Sequence, residues 1–148
     1  MKFKKIFLDY CKIKGLEINN NQIETVKAIS KFYQNNFDNN LFSSLFLKKK
    51  DMPGFYLQGE VGVGKTMILN LFYENFDQKK MRLHFNEFMI NFHDFTFQNK
   101  NDKKQNVISS FIKKLKKKYK LIYFDEFQVT NIVDAMILGS LFKKIFER

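Results

Sequence analysis

Residues Gly59 to Tyr73 read GEVGVGKTMILNLFY. Three glycines crowd the six positions before Lys65 and Thr66, and an apolar run then continues with no further glycine. Gly59, Gly62, Gly64, Lys65 and Thr66 fit G-x-x-x-x-G-K-[ST], the spacing of a phosphate-binding loop. Glycines let the backbone turn left-handed and leave no Cβ in the way, so successive N–H groups can face one anion. The helix that follows adds its unpaired N–H groups and the positive end of its dipole. Lys65 then serves as the mobile cation for the outer phosphates, and the Thr66 hydroxyl as a ligand for Mg²⁺. At average residue usage the pattern arises by chance in a chain this long about half a per cent of the time.

The loop lies between a short apolar stretch, Phe55–Gln58, expected to be a strand, and a helix expected from Lys65 to about Phe76. Arg82–Phe85 (RLHF) and Leu121–Phe124 (LIYF) read as two more strands. Helices are expected from the first of these through Phe97, over Val107–Tyr119 and over Asn131–Phe146, with a polar loop at Asn99–Asn106. Upstream, Ile23, Val26, Ile29, Phe32 and Tyr33 keep a helical rhythm, with Asn21 and Glu24 spaced as a capping box. Pro53 and Gly54 close the connection that follows. Strands alternating with helices predict βαβ units, a mainly parallel sheet and an α/β fold.

LIYFDE ends a hydrophobic strand on two adjacent carboxylates. In phosphate-loop enzymes an acid here holds Mg²⁺ through water, the role expected of Asp125. Glu126 is the candidate catalytic group, placed to orient or deprotonate an attacking water. An acidic pair after a strand is weak evidence alone and gains weight from the phosphate loop.

Composition narrows the alternatives. The chain has 148 residues, 45% of them hydrophobic, which suits one domain with a real core and excludes a generally disordered chain. Cys11 is the sole cysteine, and His84 and His93 supply no zinc-type cluster. His84 reads as a strand residue rather than a ligand. The opening MKFKKIFLDYCKIKG is basic, but Ile6–Leu8 is too short for an export signal or a membrane span, so a cytosolic or matrix-like location is the default. The net charge of +11 admits an anionic partner. Lys48–Lys50 and the lysines at 113, 114 and 116–118 also suit simple solvated surface, and both readings stay open.

GFYLQGEVGVGKTMILNLFY, MRLHFNEFM and LIYFDEFQVTNIVDAMILGSLFKKIFER together resemble the ZapE/Afg-type ATPases, and GLEINNNQIETVKAI resembles that family's opening. The resemblance covers nearly the whole chain, and DEFQVTNIVDAMIL is its most specific piece. It implies a P-loop NTPase fold of the AAA+ class, with residues 1–52 as an N-terminal helical segment and 53–148 as the ATPase core. It implies ATP held by Gly59, Glu60, Val61, Gly62, Val63, Gly64, Lys65, Thr66 and Met67, Mg²⁺ held by Thr66 and Asp125, and catalysis by Glu126. Hydrolysis to ADP and phosphate would drive remodelling of a protein client by a homo-oligomeric ring, near the inner face of a membrane or the division apparatus. Three positions depart from the family pattern: Asn86 replaces a histidine, Asn131 an aspartate and Val133 an alanine. The family continues past Arg148 with a further central strand, an arginine finger and a helical lid, so the chain reads as a fragment or truncated product with poor solubility. A nucleic-acid-dependent ATPase of the helicase-loader kind and a non-catalytic protein-binding module remain the alternatives.

Overall fold

Phe3, Phe7 and Cys11 recur at four-residue spacing and share one helix face. In the computed structural model they form the buried stripe of helix α1 (Phe3–Lys14). The structure describes residues 2–37, 54–60, 62–100 and 103–146, with the side chains of 104 and 105 excepted. Val61, Lys48–Lys50, Asp102 and Pro53 therefore lie outside the described residues. The chain forms two compact units, Met1–Asn75 and Phe76–Arg148, each built around its own elements.

In the first unit α1 ends in a Schellman motif. Gly15 adopts φ 62°, its N–H reaches the Lys12 carbonyl at 3.3 Å, and the Leu16 N–H reaches Cys11 at 2.9 Å. Helix α2 (Asn20–Phe37) buries Val26, Ile29, Phe32 and Tyr33. Its reciprocal cap is set two residues earlier than the sequence rhythm suggests. The Gln22 N–H donates to Asn19 Oδ1 at 2.9 Å, and the Asn19 N–H donates to Gln22 Oε1 at 3.2 Å. Asn19 and Gln22 take the box because a cap needs its first residue outside the helix, and Asn21 is already inside. Helix α3 (Lys65–Glu74) buries Ile68, Leu71 and Phe72. The Phe72 ring is the hub of this core, 5.4 Å from Phe3, 6.4 Å from Phe32 and 6.5 Å from Tyr33.

The expected strand at Phe55–Gln58 does not form. Residues 54–60 carry no regular secondary structure, although Phe55 packs 6.5 Å from Phe32. An apolar stretch becomes a strand only when a neighbour completes its ladder, and among the described residues the sheet has two strands, neither of them here.

The second unit is two strands joined by a two-helix crossover, with a third helix after the second strand. Strand β1 (Lys80–His84) runs directly into α4 (Phe85–Gln98); α5 (Lys104–Lys118) leads to β2 (Leu121–Asp125), and α6 (Ile132–Phe146) follows. The strands pair in parallel, Lys80 opposite Leu121 through His84 opposite Asp125. Phe85, assigned to the strand from sequence, is instead the first residue of α4. Its ring starts the stripe Phe85, Phe88, Met89, Phe92 at helical spacing, all four buried. Phe88 lies 4.8 Å from Phe124, and Phe92 5.2 Å from Phe111, so α4 ties the sheet to α5. Ile137, Leu138 and Leu141 of α6 close the same core. A mixed helix–strand fold with a parallel strand pair is thus present. No helix among the described residues is long and apolar enough to cross a membrane.

Candidate functional site

The first unit presents the loop. Gly62 and Gly64 have φ of 88° and 87°, conformations that side chains with a Cβ rarely adopt. Gly64 is also the N-cap of α3, and its carbonyl accepts the Ile68 N–H at 3.0 Å. The loop therefore enters the helix through a left-handed residue, leaving the first-turn N–H groups of Lys65, Thr66 and Met67 without intrahelical partners. Lys65 folds back across the loop, its Nζ donating to the Gly59 carbonyl at 2.7 Å and to the Glu60 carbonyl. A cavity of about 260 Å³ opens here, lined by Leu57, Gly59, Glu60, Val63, Lys65 and Ile68 among others. Asn21, Gln22 and Thr25 of α2 line it too, so polar side chains, loop backbone and the Lys65 cation share it with the aliphatic Leu57, Val63 and Ile68. Thr66 is exposed and Met67 half-buried. A residue that the motif does not include holds the loop from outside: Gln22 Nε2 donates to the Val63 carbonyl at 3.2 Å.

The second unit presents the carboxylates. Asp125 is the last residue of β2, and Glu126 leaves the strand with φ 47°. Among the described residues Glu126 is the only non-glycine with a positive φ. That conformation is one non-glycine residues rarely adopt, and it is strained. The side chain is 78% exposed, with Oε2 3.7 Å from His84 Nδ1. His84 ends β1 as the register partner of Asp125, which accounts for this proximity. Asp125 is engaged: Arg82 Nη2 donates to its Oδ2 at 2.5 Å. The same guanidinium lies 5.0 Å over the Tyr123 ring. Burial, and then the Asp125 charge, push the Tyr123 phenol above its ordinary pKa, while Arg82 pulls it down.

Sequence reading missed Arg82 and Gln22. Arg82 could be found only with the register, which sets it opposite Tyr123 and diagonal to Asp125. Gln22 could be found only by moving the capping box from Asn21 to Asn19.

The Thr66 hydroxyl in the first unit and the Asp125 carboxylate in the second are each hard oxygen donors of the kind that Mg²⁺ takes beside water and phosphate oxygens. Among the described residues no group of three or more His, Cys, Asp or Glu side chains could hold a metal by itself.

The downstream motif is structural as well. Asn131 Oδ1 accepts the Val133 N–H at 2.8 Å and caps α6. His93 Nε2 meets Asp134 Oδ1 at 3.0 Å, tying α4 to α6.

The sequence model of the AFG1-like ATPase family matches residues 9–148. Cell division protein ZapE of Escherichia coli K12 is 38% identical over 104 residues, covering 68% of this chain and 27% of its own length. Lactation elevated protein 1 homolog B of Danio rerio is also 38% identical over 104 residues, 64% of this chain and 21% of its own. The chain thus spans about a quarter of the length of the curated relatives it matches. No solved structure matches it significantly.

Proposed function

Because this chain belongs to the AFG1-like ATPase family, we propose that it carries the nucleotide-binding and hydrolytic residues of a Mg²⁺-dependent ATPase that remodels a protein client. The observation that carries this reading is the loop itself. Left-handed glycines lead into the N-terminus of α3, with the Lys65 ammonium lying over them. This is an anion cradle, and Lys65 would exchange its bonds to the Gly59 and Glu60 carbonyls for outer phosphate oxygens.

Mg²⁺, when bound, neutralises charge on the phosphate oxygens. The Thr66 hydroxyl and Asp125 are the residues that would hold it, and Asp125 must then share or leave Arg82. Glu126 would take a proton from a water as the water oxygen bonds to the γ-phosphorus; the bridging bond breaks and ADP leaves with the electron pair. The strained backbone of Glu126 supports this role, because such strain concentrates at functional positions. Remodelling of a client, assembly into a ring and work near a membrane rest on the family alone. The bacterial relative, a cell division protein, supports a place in cell division.

A second reading, nucleic-acid-stimulated ATPase, is favoured by one observation. Lys113, Lys114, Lys116, Lys117 and Lys118 of α5 are all exposed.

Phosphate release from Mg-ATP by the 148-residue chain, with Glu126→Gln beside it, tests hydrolysis. Turnover lost in the variant supports the proposal. Absence of turnover in the parent chain sinks hydrolysis by these residues alone and favours a binding module. Stimulation by single-stranded DNA that fades with salt would shift the case to the second reading.

A further inference from the structure

Gln22 and Val63 are 41 residues apart, and one side chain joins them. Gln22 uses both ends of its amide. Oε1 accepts the Asn19 N–H in the α2 cap, and Nε2 donates to the Val63 carbonyl, each at 3.2 Å. Only this orientation of the amide satisfies both neighbours, since one offers an N–H and the other a lone pair. We propose that Gln22 is a positioning residue of the phosphate loop, holding the Val63–Gly64 peptide in the orientation that phosphate binding needs. The proposal rests on the reading of Gly59–Met67 as a nucleotide site.

A trans peptide is planar, with C=O and N–H on opposite sides. A Val63 carbonyl turned toward Gln22 therefore turns the Gly64 N–H the opposite way. Gly64 imposes little preference of its own, so this peptide needs an external hold if the loop N–H groups are to converge. The hold is close. A Cβ built on Gly64 would lie 2.9 Å from Gln22 Nε2, so the glycine is required for this contact as well as for its φ of 87°. The cap fixes the other end of the amide, so little side-chain freedom remains to be lost. The chemistry also separates the two duties. A capping box accepts Glu as readily as Gln, but the bond to Val63 requires the amide donor.

The test measures two quantities for the parent chain, Gln22→Glu, Gln22→Met and Lys27→Gly. One is hydrogen–deuterium exchange over residues 62–67 without nucleotide; the other is affinity for Mg-ATP. Gln22→Glu keeps the cap and loses the donor, and Gln22→Met loses both without adding charge. Lys27→Gly weakens α2 from an exposed position and serves as the stability control. Both Gln22 variants should speed exchange in the loop and weaken Mg-ATP binding about three- to tenfold. Lys27→Gly should lower the melting temperature without either effect. The proposal is overturned if Gln22→Met matches the parent chain or the control in loop exchange, or if exchange rises while affinity stays unchanged. It is also overturned if Gln22→Glu restores both quantities, since the cap alone would then explain them. Faster exchange in the Gln22 variants of a chain that never binds Mg-ATP would uphold the hold on the loop and refute the nucleotide reading.

Discussion

Glu126 carries a φ of 47° at a position where any residue could have begun a loop. Left-handed backbone costs a non-glycine residue about 1 kcal/mol or more. Glycine would relieve that strain and give back part of the gain through a freer unfolded chain. Glu126→Gly should therefore raise stability by about 0.5–1 kcal/mol in a denaturant melt while losing whatever turnover the parent chain has. A destabilised Glu126→Gly would mean that its carboxylate, 3.7 Å from His84, stabilises the fold rather than straining it. Gly64 makes the opposite case. Gly64→Ala forces a Cβ into the left-handed region and to within 2.9 Å of Gln22 Nε2, so a loss of about 1–2 kcal/mol is expected on the same melt.

At the scale of elements, the helices show what a sequence can carry. The stripe of α2 was legible because burial repeats with the helical period, and the stripe is the physical cause of the helix. The parallel pairing of β1 and β2 followed from the helices between them. Phe55–Gln58 was misread because its apolar character is local, whereas a strand depends on a partner that the stretch does not contain. Helix α1 lies in the segment expected to be helical by resemblance, but its buried stripe is not read from residues that also look like a targeting segment. Phe3, Phe7, Cys11 and then Gly15 carried the signal of a buried stripe and its stop. The phosphate loop and the strand-end carboxylates were legible as motifs, but Arg82 on Asp125 was not, since register is invisible in a single strand. The cap of α6 offers a check at this scale. Asn131→Ala should cost about 1 kcal/mol, and Asn131→Asp should cost nothing measurable, because a carboxylate oxygen can accept the same Val133 N–H. Equal losses in both variants would show that the Asn131 cap bond does not hold α6.

For the molecule as a whole, surface chemistry sets the behaviour in solution. Ile132, Val133 and Met136 on α6 are 80%, 56% and 75% exposed, an apolar patch next to a capped helix start. The net charge of +11 opposes self-association at low salt, and screening removes that protection. Solubility should therefore fall as salt rises, and Ile132→Lys with Met136→Lys should restore it. Light scattering across a salt series reads both, and an unchanged onset of scattering would clear the patch. Cys11 reports on the first unit independently. It is 1% exposed, and burial raises its thiol pKa, so thiol reagents should label it only as that unit opens. A folded-state pKa above the unfolded one means that this contribution to stability is present below the unfolded value and is lost as pH rises past it.

The proposed chemistry requires that the Gly59–Thr66 loop seat nucleotide phosphates with Lys65 as its cation. Titration calorimetry of Mg-ATP into the parent chain and into Lys65→Ala tests it most directly. Saturable binding in the parent chain, weakened at least about tenfold by loss of the ammonium, is the predicted result. Equal binding by both chains, or no binding by a folded parent chain, would contradict it.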